Sequence, residues 1–155
     1  MKYALIGCGR IATNHVKAVL NNGLEFVAAC DVELNNIETL LAKHNLENDK
    51  SIARYTDYKK MIEEHPELEL VAIATSSGAH AEIALYCIDH NINVIIEKPM
   101  AMNMADAEEI IKRSEAKGVK VCACHQTRFN IAVQKTRKAL EEGRFGKLSH
   151  GSIHV

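Results

Sequence analysis

Short apolar runs alternate along the chain with longer segments in which apolar residues recur at three- and four-residue spacing. The runs Tyr3 to Ile6, Glu25 to Cys30, Leu70 to Ala74, Asn93 to Ile96 and Val119 to Cys124 predict strands, with a weaker one at Ile52 to Tyr55. Between them, Ile11 to Leu20, Val32 to His44, Tyr58 to Glu64, Ala79 to His90 and Ala105 to Lys117 predict helices. Runs that are apolar throughout need cover on both faces, so the pattern spells repeated βαβ units: an α/β fold with a doubly wound parallel sheet. Punctuation agrees with period. Asn21-Asn22-Gly23 and Lys117-Gly118 supply left-handed helix ends, and Thr56 and Asn103 stand where helix caps are needed.

After Cys124 the grammar changes. Ile131 to Glu142 predicts one more amphipathic helix, and Gly143-Arg144-Phe145-Gly146-Lys147 then leads into an alternating strand from Leu148 to Val155. That strand carries no stop signal, which suggests a fragment whose second, α+β domain continues beyond it. The expected division is a first domain over residues 1–124 and, over 125–155, an interdomain helix with the opening of the second domain.

Composition narrows the classes. With 155 residues, 47% apolar, 25% charged and two prolines, the chain is long enough to bury a core, which excludes disorder. A net charge of -1 without long runs of either sign argues against nucleic-acid binding. No apolar stretch approaches the roughly 20 residues of a membrane span, and Met1 leads straight into a strand, so a cytoplasmic protein without a targeting peptide is expected. The five cysteines are odd in number and, Cys8 apart, lie in apolar runs, as in a reducing compartment without disulfides. Cys122-Ala123-Cys124-His125 lacks the second ligand pair of a zinc site, so buried strand cysteines and no metal are expected.

Gly7-Cys8-Gly9-Arg10-Ile11-Ala12 has the form G-x-G-x-x-A between the first strand and the first helix. Gly7 permits the tight turn, Gly9 lets backbone approach a pyrophosphate, and Ala12 lets the helix pack close to the sheet. The helix N-terminus favours the phosphate charge. Asp31 ends the second strand, 19 residues past Ala12, where a carboxylate accepts both hydrogens of an adenosine ribose diol. Val32-Glu33-Leu34-Asn35 offers no arginine for a 2′-phosphate, so NAD is expected over NADP. Glu97-Lys98-Pro99 follows the apolar Val94-Ile95-Ile96, placing a charged pair at a strand's carboxyl end, where open α/β sheets bind ligands. A lysine there is suited to a substrate hydroxyl, although a plain surface lysine before a turn fits the spacing too.

These residues resemble the Gfo/Idh/MocA oxidoreductases, two-domain sugar and polyol dehydrogenases. The Gly7 to Ala12 fingerprint, Tyr55-Thr56-Asp57-Tyr58, Thr75-Ser76-Ser77-Gly78-Ala79-His80 and Glu97-Lys98-Pro99 carry the resemblance, which extends through Gln126-Thr127-Arg128-Phe129-Asn130 and Gly143 to Lys147. It implies cofactor contacts by Gly7, Gly9, Arg10, Ile11, Ala12, Asp31, Thr75, Ser76, Ser77, His80, Gln126 and Arg128. It places Glu97 by the nicotinamide ribose, Lys98 by the reacting sugar carbon and Pro99 after a cis peptide bond. Many members have Pro-Asn where this chain has Ser76-Ser77, which leaves the exact cofactor contacts of that loop open but not the loop itself. The run His125 to Gln134, with Gly146-Lys147-Leu148 and His154-Val155, is similar to the branch oxidising C3 of UDP-N-acetylglucosamine or its uronate. His125, His150 and His154 are taken as structural.

The resemblance also implies that a second domain supplies the sugar pocket and an Asp/His pair, so that these 155 residues alone lack turnover and the full-length protein is a homo-oligomer. The expected function is NAD-dependent oxidation of a secondary hydroxyl on a sugar or UDP-sugar, with Lys98 handling the hydroxyl proton. The alternative is a dinucleotide-sensing module without turnover.

Overall fold

The computed structural model describes residues 1–152. In chain order they form β1 (Lys2–Ile6), α1 (Ala12–Asn21), β2 (Glu25–Cys30), α2 (Leu34–Ala42), β3 (Ala53–Tyr55), α3 (Tyr58–Glu64), β4 (Leu70–Ile73), a 3-10 turn (Ser77–Ala79), α4 (His80–Asp89), β5 (Asn93–Ile96), α5 (Met104–Lys117), β6 (Val121–Ala123), a second 3-10 turn (Gln126–Phe129) and α6 (Ile131–Glu141). Contacts divide the chain into two compact units, Met1–Cys124 and His125–Val155.

The first unit is the doubly wound α/β fold. Its six strands run parallel in the order β3-β2-β1-β4-β5-β6, so the winding reverses between β1 and β4. Side chains alternate across the pleat, and each face has its own core. Ala4 and Ile6 of β1 join Met61, Ile83, Ile88 and Ile110 under α3, α4 and α5. Tyr3 and Leu5 join Val16, Ile37, Leu40 and Leu41 under α1 and α2.

Helix ends follow the polar punctuation. Gly23 and Gly118 take positive φ values of 62° and 68°. Asn103 caps α5 by accepting the Asp106 N–H at 2.9 Å. The cap of α3 is Asp57, not Thr56: its carboxylate accepts the Lys59 N–H at 2.8 Å, and a charged acceptor one residue nearer the helix outcompetes the hydroxyl.

The cysteines divide otherwise than expected. Cys8, Cys30 and Cys87 are buried, whereas Cys122 is exposed, because β6 is an edge strand reduced to Val121–Ala123 and its Cys122 face is uncovered within this unit. In the second unit, Asn130 caps α6 by accepting the Ala132 N–H at 2.9 Å, and no residue of that helix is buried. Residues 148–152 are not in a strand; Ile153 to Val155, the rest of the expected strand, lie outside the described residues.

Candidate functional site

The carboxyl ends of β1, β2 and β4 open into a cavity of about 570 Å³ at the point where the strand order reverses. Gly7, Gly9, Asp31, Thr75 and Ser76, all expected at the site, share its walls.

The two fingerprint glycines do different work. Gly7 has φ +93°, and a Cβ there would sit 2.5 Å from the Ala74 carbonyl carbon, so only glycine fits between β1 and β4. At Gly9 a Cβ would meet no atom within 4 Å. Its lack of a side chain is therefore not a packing need; it leaves open the approach that a pyrophosphate requires beside the α1 N-terminus. Ala12, the first residue of that helix, is fully buried, and Ile11 stands half-buried at its N-cap. Exposed Arg10 turns to a neighbouring hollow, shared with Thr13 and Lys43.

Asp31 does more than wait for a ligand. Its Oδ2 accepts the Cys8 N–H at 2.7 Å, and its Oδ1 accepts the Glu33 N–H and the Asn36 side-chain amide, both at 3.0 Å. The carboxylate thus ties the end of β2 to the glycine turn. A carboxylate has roughly four acceptor positions, so with three taken a ribose diol finds one free, and a second when Asn36 gives way. Burial, then the nearby Asp31 charge, pushes the Cys8 thiol up to about 12, which keeps it neutral in the turn.

His80 is placed differently from the expectation of a cofactor contact. It is 1% exposed, with Nδ1 at 2.8 Å from the Pro99 carbonyl and Nε2 at 3.1 Å from the Thr75 carbonyl. It couples the turn after β4 to the turn after β5. Ser77, the first residue of the 3-10 turn, is half-buried and outside the cavity walls.

Beyond β5, strand alternation sends successive side chains to opposite faces. The Glu97 carboxylate is buried on the α1 side, where its Oε1 lies 3.0 Å from His15 Nε2. Lys98 is exposed, and its ammonium makes no hydrogen bond or ion pair among the described residues. The Lys98–Pro99 peptide is cis. Gln126 and Arg128 belong to the second unit, exposed on its 3-10 turn.

Sequence reasoning missed Val32, Tyr58 and Glu82 as cavity walls. Tyr58 donates its hydroxyl to Glu82 at 2.8 Å, and burial first, then that carboxylate, pushes the phenol pKa up. Their only signal was position, at or just past a strand end or one turn into the following helix.

A family model for oxidoreductases with an NAD-binding Rossmann fold, GFO_IDH_MocA, matches residues 1–125. The chain is 27% identical to inositol 2-dehydrogenase of Salmonella typhimurium over 156 residues, covering 97% of this chain and 45% of that protein. It is 30% identical to D-apiose dehydrogenase of Paraburkholderia graminis over 153 residues, covering 98% and 39%. Among solved structures, the WlbA dehydrogenase of Bordetella pertussis in complex with NADH and UDP-GlcNAcA superposes with a TM-score of 0.83 at 29% identity, over 94% of this chain and 43% of that one. The chain therefore spans less than half the length of these relatives.

Proposed function

Because the chain belongs to the Gfo/Idh/MocA oxidoreductase family, an NAD-binding Rossmann family, we propose that it is the cofactor-binding half of a cytoplasmic dehydrogenase acting on a secondary hydroxyl of a sugar, in the first place a UDP-linked N-acetylglucosamine derivative. Two relatives are dehydrogenases of a polyol and a sugar, and the WlbA dehydrogenase is in complex with NADH and UDP-GlcNAcA. Bound NAD supplies the hydride acceptor. Gly9 and the α1 N-terminus hold the pyrophosphate, Asp31 takes the adenosine ribose and disfavours a 2′-phosphate by charge, and Thr75 and Ser76 line the opposite wall. Arg10, Gln126 and Arg128 are proposed as further cofactor contacts.

The observation that carries the proposal is the Lys98 ammonium, without a partner among the described residues, just beyond β5 at the same carboxyl end of the sheet as the open glycine turn. There it hydrogen-bonds the reacting hydroxyl oxygen and takes part in moving its proton. Residues 1–155 bind NAD but do not turn over, because the sugar pocket and the remaining proton-transfer groups belong to a second domain, which also joins copies of the protein. The test is a panel of UDP-sugars, free sugars and inositols given with NAD to the complete natural protein, followed by absorbance of the reduced cofactor. Reduction with a UDP-N-acetylglucosamine derivative above all others is expected. Reduction with inositols alone would move the substrate to the polyols, and turnover by residues 1–155 would overturn the division of labour.

A further inference from the structure

The α1 face of the sheet carries a second cluster, whose members are not among the walls of the cavity described above. Ladder pairing sets Ile96 of β5 opposite Ala123 of β6, and the Cys124 N–H continues it onto the Ile96 carbonyl at 2.8 Å. Glu97 and Cys124 therefore extend neighbouring strands, on the face where α1 presents His15. His15 Nε2 lies 3.0 Å from Glu97 Oε1, and the Cys124 sulfur completes a set whose ligand atoms all lie within 4.8 Å of one another. Glu97 is buried and the other two are half-buried. The cluster draws on residues 15, 97 and 124, so no local spacing announces it.

We propose that His15, Glu97 and Cys124 bind a divalent cation of the zinc class, with a fourth position left for water. Imidazole, carboxylate and thiolate are the zinc ligands, and three of them with one open place is a recurrent zinc arrangement. Bonds of roughly 2.0–2.3 Å around a tetrahedron put donor atoms about 3–4 Å apart, which small side-chain rotations reach from the present positions. A thiolate in the set selects against magnesium and calcium. On binding, the ion replaces the Cys124 thiol proton, which leaves to solvent, and His15 coordinates through a neutral Nε2 with its proton on Nδ1.

Tyr3 lies on the same face of the sheet, its hydroxyl buried without a hydrogen-bond partner among the described residues, and it lines with His15 a hollow of about 140 Å³. The bound ion pins α1, which follows the glycine turn, to the strand that leads into Lys98. The site stands independently of any substrate.

The full chain, stripped with chelator and kept reduced, is titrated with Co²⁺ while its near-ultraviolet spectrum is followed. One equivalent is expected to raise a thiolate-to-cobalt charge-transfer band, which Zn²⁺ then displaces. Cys122→Ser keeps the band, Cys124→Ser loses it, and His15→Ala weakens Zn²⁺ binding at least about tenfold, the loss already typical for a mere supporting residue. Circular dichroism checks each variant, and His15→Ala serves if Cys124→Ser fails to fold. No band at stoichiometric Co²⁺, a band that survives Cys124→Ser, or unchanged Zn²⁺ affinity in His15→Ala would overturn the proposal.

Discussion

The turn after β1 and the turn after β5 occupy the same carboxyl end of one sheet, yet they are held in different ways. Everything that shapes the first lies within the opening βαβ unit and its neighbour strand: Gly7 wedged against Ala74, Asp31 on the Cys8 N–H, and Ala12 buried at the start of α1. The second is assembled from far along the chain, with His80 on the Pro99 carbonyl and His15 on the Glu97 carboxylate. A turn made from local geometry leaves a fixed spacing in the sequence. A turn braced from a distance leaves only its own residues.

If the first turn is a matter of backbone space, Gly7→Ala produces the largest effect: a Cβ 2.5 Å from backbone, at φ +93°, costs about 3–5 kcal/mol. Chemical denaturation measures it, and a loss below about 1 kcal/mol breaks the distinction between Gly7 and Gly9. In the second turn, Lys98→Met in the complete natural protein lowers kcat by roughly 10²-fold while NAD affinity changes little. Activity that survives this change returns Lys98 to the role of a surface lysine. His80→Ala removes the brace between the turns after β4 and β5, with the ring's contacts to the Pro99 and Thr75 carbonyls, a loss of about 2 kcal/mol in the same denaturation experiment. Asp31→Ala is the subtlest change, narrowing the preference for NAD over NADP about tenfold in paired calorimetric titrations. Its own stability cost separates the tie to Cys8 from the contact to ribose.

The same contrast explains what was legible in the sequence. The Asn93–Ile96 strand and the Tyr58–Glu64 helix match their predicted limits, because each is a short apolar or periodic segment bounded by polar residues. The glycine turn and the Asp31 position were legible because local steric and charge needs fix both. The three cations of the neighbouring hollow and turn, Arg10, Lys43 and Lys98, show no pattern that separates a reactive lysine from surface charge. His80 was taken for a ligand contact, since a histidine after a strand reads alike whether its ring faces a cofactor or two carbonyls. Thr56 and Asp57 are adjacent acceptors, and only the entry angle of α3 decides between them. The His15, Glu97 and Cys124 cluster was invisible because sheet register, not sequence distance, makes its members neighbours.

The central claim is that the open side of Gly9 receives the dinucleotide, and NAD calorimetry on Gly9→Val tests it most directly. With no atom within 4 Å of a Cβ there, the variant folds with near-parental stability, while its branched side chain fills the pyrophosphate approach. The expected result is a folded chain with NAD binding lost. Near-parental NAD affinity in folded Gly9→Val would contradict it and reduce the fingerprint to a turn.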